Sequence, residues 1–469
     1  MFGIDKSSLY STAALCEMPC GKPRVAIGRH IFEILKIKVD GTCHDADANK
    51  EMFNDANEHI KKHKGVCIKQ KLVLGYIHCE MRPPRNCNTP FLLSKTSDGR
   101  VVACLCQECA NIQNATTCRH PDNKRNLIGV WTTDEIVYSV LNLDYRIENV
   151  FELMYWPRRE ALLKPFILIL ARRKILASGL PPNLSENETN IYVDKMNVDM
   201  GFTGEFRLQV SDFGKDPLPG ERKWLKDTLN GFLGTFGMKL PAMLYQLIFD
   251  RTKLFNLHDS NNICSIHPLS QECLSVAYNA GDKISSKSNR HTYSPIFAFI
   301  TSTARIMMAK DIEIINKIGK LYYTHTDSLY FTLPKDCPFP FTISEAFGNY
   351  KHEFGNKKIV SFIAKNESSY SVTVLEPNGS TTEHLKMTGL SLTKAWVGDQ
   401  ITVTEFNNMV SRLLEGENVS KTVVQPLEQK SGDVTNCSFT IKPSIFSKRV
   451  LSKVDDFTYD TKPYGFTFY

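Results

Sequence analysis

Two groups of residues carry the types and spacing that chemistry requires. Cys106-x-x-Cys109 followed by Cys118-x-His120 supplies four soft ligands within fifteen residues, a set able to close a tetrahedral zinc site and tie down a loop-rich stretch. Reduced, partly buried thiols are the competing reading of the same cysteines. The second group is carboxylate and cationic. Asp5 closes the short strand pattern Gly3-Ile4-Asp5, and Asp327 falls in Leu321–Leu333, which reads as two strands meeting at a tight turn around Thr324 to Ser328. Lys226 and Asn230 are one helical turn apart and share a face.

The elements that must position these groups follow from periodicity and punctuation. Ser7 to Leu15 reads as a turn entering a helix, Lys71 to Cys106 as a small sheet, and Thr132 to Leu141 as a helix. Helices are expected over Leu162–Ser178, stopped by Gly179-Leu-Pro-Pro, over Gly220–Phe236, and over Pro295–Ile318. Asn183 to Asp212 is polar and of mixed pattern, which predicts a loop joining an antiparallel helix pair. A helix-bearing tail is expected beyond Lys394.

Composition bounds the class. A chain of 469 residues with 42% hydrophobic and 23% charged residues is globular, with a length that suggests about three packed units. The longest apolar run, Pro165 to Ala171, is followed at once by Arg172, Arg173 and Lys174, far short of the ~20 residues of a membrane helix. Neither a membrane span nor a secretory leader is visible, so a cytosolic or nuclear setting is expected. The 14 cysteines then favour free thiols or metal ligands over a disulfide framework. A net charge of +7 suits a polyanionic partner without deciding for one.

Three segments occur in a telling order: Asp5-Lys-Ser-Ser-Leu-Tyr10, Lys226-Asp-Thr-Leu-Asn-Gly-Phe-Leu-Gly234 and Tyr323-Thr-His-Thr-Asp-Ser328. They resemble motifs A, B and C of family B DNA polymerases, most closely the protein-primed subgroup of viruses, linear plasmids and Polinton-type transposons. Met18-Pro-Cys-Gly-Lys-Pro23, Ala298 to Arg305 and Pro463-Tyr-Gly465 extend the resemblance along nearly the whole chain.

The resemblance implies an α+β right-hand fold with palm, fingers and thumb. The palm would begin at 1–39 and resume at 290–393, with fingers at 157–239 and a thumb at 394–469. Insertions at 40–156, carrying the Cys/His cluster, and at 240–289 would correspond to the two terminal-protein regions. It implies phosphoryl transfer, in which two magnesium (or manganese) ions roughly 3.5–4 Å apart are held by carboxylates, here Asp5 and Asp327. Tyr10 would lie under the incoming sugar, and Lys226 with Arg172 or Lys174 would meet the triphosphate. Asn230 would face the nucleotide or nascent base pair, while Thr326, Tyr370 and Lys386, the last with Gly389, would contact the primer strand. The implied partners are DNA template and primer, deoxynucleoside triphosphates and a terminal protein, with no membrane.

Departures from the pattern are specific. His325 stands where the third motif has its first aspartate, Gly231 and Leu233 replace a serine and a tyrosine of the second, and Ser368 occupies the lysine position of Lys-x-Tyr. Only four residues precede Asp5, leaving no room for the proofreading exonuclease; a fragment, a split gene product or a decaying copy would each account for that. A non-catalytic DNA-binding remnant is the rival reading. A zinc hydrolase is disfavoured, because Cys106, Cys109, Cys118 and His120 would make a closed site.

Overall fold

The computed structural model describes residues 1–28, 30–34, 57–58, 61, 73–214, 216–237, 243–260, 262–279, 293–344, 346–355, 357–366, 368–387, 401–417, 419–426, 436–441, 448–453 and 459–467. Gly389 and the expected boundaries at 39/40, 239/240, 289/290 and 393/394 fall outside these residues. The protein is a mixed helix-and-sheet structure, and the pairings between its named strands are antiparallel. Among the described residues, no helix is long and apolar enough to cross a membrane.

The sheet that carries the first carboxylate has four strands in the order Lys320–His325, Ser328–Thr332, Phe2–Lys6, Tyr350–His352. Phe2–Lys6 is thus interior, and Gly3, Ile4 and Lys6 on it are buried. Gly3 is required there: a Cβ would lie 2.9 Å from the Tyr330 ring. On the other side of this sheet lies the 25-residue helix Ser294–Ile318, whose buried Ile296, Phe299, Ile300, Ala304, Met308 and Ile315 form an apolar stripe at helical spacing. Lys6, almost fully buried, pairs with Asp311 on that helix. Its ammonium sits 4.4 Å above the Tyr350 ring, and the Tyr350 hydroxyl donates to Asp311 Oδ2 at 2.6 Å. A buried cation is tolerated because it is both paired and ring-covered.

Helices Lys164–Ser178 and Pro219–Thr235 pack against each other and share one core with the four-stranded sheet, through Ile167 and Leu170 on the first and Leu225, Leu229 and Leu233 on the second. The stretch expected as a loop between them instead contains the 15-residue helix Glu186–Met200. Ser185 and Glu188 form a reciprocal capping box at its start, and Gly201 at φ 64° ends it. Its buried set is only Val193, Asn197 and Met200, too narrow a stripe to stand out in the sequence.

Residues 74–156 form a second unit around the sheet Arg24–Ile27, Arg146–Trp156, Leu74–Arg82, Leu127–Thr132. The helix Thr133–Asn142, capped by Thr132, fixes this unit to the long helix: Thr132 Oγ1 and Ser302 Oγ are 2.6 Å apart, and Arg305 Nε donates to Glu135 Oε1 at 3.1 Å. The expected single tail unit is divided. Helix Val403–Leu414 packs with the sheet Lys358–Asn366, Ser369–Leu375, Thr381–Lys386, whereas Val450, Tyr464 and Phe466 join the core of the cysteine-bearing unit.

Gly319 turns the long helix directly into strand Lys320–His325, and a Cβ there would collide with Thr332 O. Gly319→Ala is therefore expected to lower stability by roughly 1–3 kcal/mol, read as a depressed midpoint in a circular-dichroism melt; an unchanged midpoint would show that the hairpin is not held as tightly as this packing requires.

Candidate active site

Asp5 and Asp327 meet at one end of the four-stranded sheet. Asp5 pairs in register with Ser328 on one side and Lys351 on the other. The hairpin closes with His325 opposite Ser328, leaving Thr326 and Asp327 as a two-residue turn. Such turns demand positive φ, and Thr326 adopts φ 56°, a conformation a β-branched residue enters at a cost of about 1–3 kcal/mol. The Lys6 N–H donates to Asp327 O at 2.8 Å, which fastens the turn to the first strand. Ser328 Oγ donates to Asp5 Oδ1 at 3.3 Å, and the Asp5 and Asp327 carboxylates line the same cleft. Burial, and then the Asp5 charge, push Asp327 up to about 6.

The facing wall is cationic. Arg222, Lys226 and Asn230 lie at four-residue intervals on helix Pro219–Thr235 and line the cleft together with Lys174 from the partner helix. The same helix sends Leu225, Leu229 and Leu233 into the core, so one helix presents a polar stripe to the cleft and an apolar stripe to the sheet. Arg172 does not reach the cleft; its guanidinium donates to Asp212 Oδ2 at 2.7 Å. Two residues two positions apart on a helix point in different directions, so only one of Arg172 and Lys174 can face this space. Tyr10 lines the cleft with its ring 40% exposed, and burial, followed by the nearby Asp327, raises its hydroxyl above the usual tyrosine range.

Sequence reasoning missed three participants. Arg222 was accessible from its spacing to Lys226. Lys351, whose ammonium is 2.9 Å from Asp5 Oδ2, is beside the carboxylate only through strand pairing, and buried Lys6 through its partner Asp311.

The departing positions also acquire places. His325 Nε2 and Ser368 Oγ are 3.3 Å apart, so two of the positions that differ from the family pattern touch each other. Leu233 belongs to the core stripe of its helix, while Gly231 has open space around it. Thr326 and Lys386 are exposed. Tyr370 is not: it is 4% exposed, lies among Tyr323, Tyr330 and Phe362, and donates to Glu353 Oε1 at 3.3 Å, with Lys386 Nζ 5.5 Å above its ring. As placed, its ring offers no surface to a strand of DNA.

Cys106, Cys109, Cys118 and His120 come together in the second unit, about their own centre and apart from the carboxylates. A hydrogen bond from Cys106 is the main reason the Cys109 thiol is lowered to about 5, and the same bond raises Cys106. Cys106, Cys109 and Cys118 are free thiols, as are Cys79 and Cys104 in the same core.

No family model and no curated protein matches the chain. Among solved structures, Phi29 DNA polymerase complexed with primer-template DNA and incoming nucleotide substrates aligns over 94% of this chain and 57% of its own, with 12% identity and a TM-score of 0.49. An orthorhombic crystal form of Phi29 DNA polymerase aligns over 94% and 58%, with 13% identity and a TM-score of 0.47. The chain therefore spans less than two thirds of the length of these structures.

The raised Asp327 carboxyl fixes the sign of a pH effect. Its value of about 6 exceeds the ~3.9 of an unfolded aspartate, so the folded chain binds the extra proton between those values and loses stability as pH rises through that window. Asp327→Asn should therefore melt at a higher temperature than the parent chain at neutral pH without divalent cations, and the gap should close near pH 4. Divalent-cation affinity, which requires the ionised carboxylate, should climb up to pH of about 6 and level off above it. Calorimetric titrations across this range check both; a pH-independent gap would remove the account of a carboxyl raised by burial and by the Asp5 charge.

Proposed function

We propose that the chain is the polymerase region of a DNA polymerase, adding deoxynucleotides to a primer strand by phosphoryl transfer. The observation that carries this reading is the cleft: two adjoining carboxylates at a sheet end, facing Lys174, Arg222 and Lys226 across one space. In this reading the sheet with Asp5 and Asp327 is the palm, the paired helices belong to fingers at 157–239, and the regions 40–156 and 240–289 serve a terminal protein primer.

Carboxylate oxygens are the donors that hard magnesium or manganese takes, so Asp5 and Asp327 fit such ions, which when bound would neutralise charge on the triphosphate and the attacking oxygen. The remaining work is the chain's own. Lys174, Arg222 and Lys226 supply positive charge for a triphosphate, with the Arg222 fork suited to paired phosphate oxygens. Tyr10 offers a ring face beside the carboxylates, where a sugar would rest and a 2′-hydroxyl would be crowded out. Asn230, one turn beyond Lys226, is set to meet the base pair. Exposed Thr326 and Lys386 are available to a primer backbone.

A DNA-binding remnant is the second reading, favoured by two observations: His325 adds no negative charge beside the carboxylates, and Lys351 already pairs with Asp5. Neutral imidazole is a poor ligand for magnesium.

Primer extension on a primed template, in magnesium or manganese, separates the two. Activity that falls more than about 100-fold in Asp5→Ala and in Asp327→Ala supports the polymerase reading; DNA binding with no extension in either metal supports the remnant. Within an active chain, Lys174→Ala and Arg222→Ala should each raise KM for the nucleotide by roughly 10-fold, the value of one charge-assisted contact, whereas Arg172→Ala should leave it unchanged. An Arg172 effect equal to that of Lys174 would contradict the assignment of the cleft wall. His325→Asp should raise activity if charge at that position limits the reaction.

A further inference from the structure

His120 Nδ1 lies 3.5 Å from Cys106 Sγ, 3.3 Å from Cys109 Sγ and 3.7 Å from Cys118 Sγ. A tetrahedral zinc with Zn–S of about 2.3 Å and Zn–N of about 2.0–2.1 Å holds its nitrogen and sulfur ligands about 3.6 Å apart, within the span of those three distances. All four ligand atoms lie within 4.8 Å of one another, and the three cysteines are buried. The donors are too soft for magnesium, and with four protein ligands the site is closed.

What surrounds the cluster gives it a task. The Leu105 N–H, one residue before the first ligand, donates to Tyr464 O at 2.8 Å, and the Cys118 N–H, on the third ligand itself, donates to Phe466 O at 2.9 Å. Each ligand loop thus gives one backbone hydrogen bond to the same short turn, Pro463 to Phe466. Gly465, between the two acceptors, has φ 88°, and a Cβ on it would lie 2.5 Å from Cys106 N and against Cys106 Cβ. Tyr464 and Phe466 are buried in the same core as Cys106, Cys109 and Cys118. Arg125, 1% exposed, donates to Leu105 O at 3.0 Å and Pro84 O at 2.8 Å, bracing the first loop from behind.

We propose that Cys106, Cys109, Cys118 and His120 bind one zinc ion, and that this ion holds the two ligand loops at the separation that receives the Pro463–Phe466 turn, making attachment of the 459–467 segment zinc-dependent. The ligand loops are joined by irregular backbone with little regular structure of its own, so the metal supplies the constraint that a larger core would otherwise supply. This inference stands independently of the reaction proposed for the carboxylate cleft.

The full-length chain, purified with zinc present throughout, should contain one zinc per molecule by elemental mass spectrometry, and Cys118→Ala should contain almost none. Replacing zinc with cobalt should give the intense thiolate-to-metal absorption of a three-sulfur site. On chelation, hydrogen exchange in peptides covering 104–120 and 459–467 should accelerate by about tenfold or more, while peptides covering Phe2–Lys6 and Ser328–Thr332 stay protected. Gly465→Val, which alters no ligand, should speed zinc loss to a chelator by about 10-fold or more, the usual cost of disturbing a group that supports metal ligands. A chain that takes up no zinc overturns the proposal. So does a zinc-bound chain in which exchange across 459–467 is the same with and without the metal.

Discussion

Two negative charges held side by side in a half-buried place are the constraint on which the rest of the site depends. Nothing in the carboxylates themselves favours that arrangement. It is imposed by backbone: the Asp5–Ser328 register and the Lys6 N–H bond to Asp327 O leave the turn no freedom to withdraw. The consequences are visible around it. Asp327 holds its proton unusually well, Lys351 sits against Asp5, and the opposite wall collects cations. Two carboxylates held this way repel each other, and burial adds to the cost of charging both.

The rigidity comes from the layer beneath. Gly3 admits the Tyr330 ring, Gly319 admits Thr332 O, and buried Lys6 is fixed between Asp311 and the Tyr350 ring. The long helix Ser294–Ile318 is the common support, since one part of it braces the carboxylate sheet while Ser302 and Arg305 hold the cysteine-bearing unit. The Cys/His cluster and the carboxylate cleft are separate centres on one scaffold.

Local signals in the sequence were sufficient for what is local. Strand-end Asp5, hairpin Asp327, the helices near 164–178, 219–235 and 294–318, and the cysteine spacing all depend on neighbours in the chain, and each was legible. Helix Glu186–Met200 was not, because its polar surface hid a narrow apolar stripe; the Ser185-x-x-Glu188 box was the available signal. Helical geometry lets only one of Arg172 and Lys174 face the cleft, and the Arg172–Asp212 pair decides which. Lys351 beside Asp5, Tyr370 within an aromatic core, and Tyr464 against the cysteines could not be read at all, since each follows from pairing between segments far apart in the chain.

The same non-local character governs how the site comes into being. Ser328 and Asp5, which share a hydrogen bond, are 323 positions apart, so the sheet end cannot close until every residue between them has been made. During synthesis the first strand emerges early with an interior position to fill and no neighbour to fill it. It must wait, flanked by neither of its eventual partners, until Ser328–Thr332 and Tyr350–His352 have been made. Ring closure of that length is an entropic gate, and until it is passed the two carboxylates are not brought together.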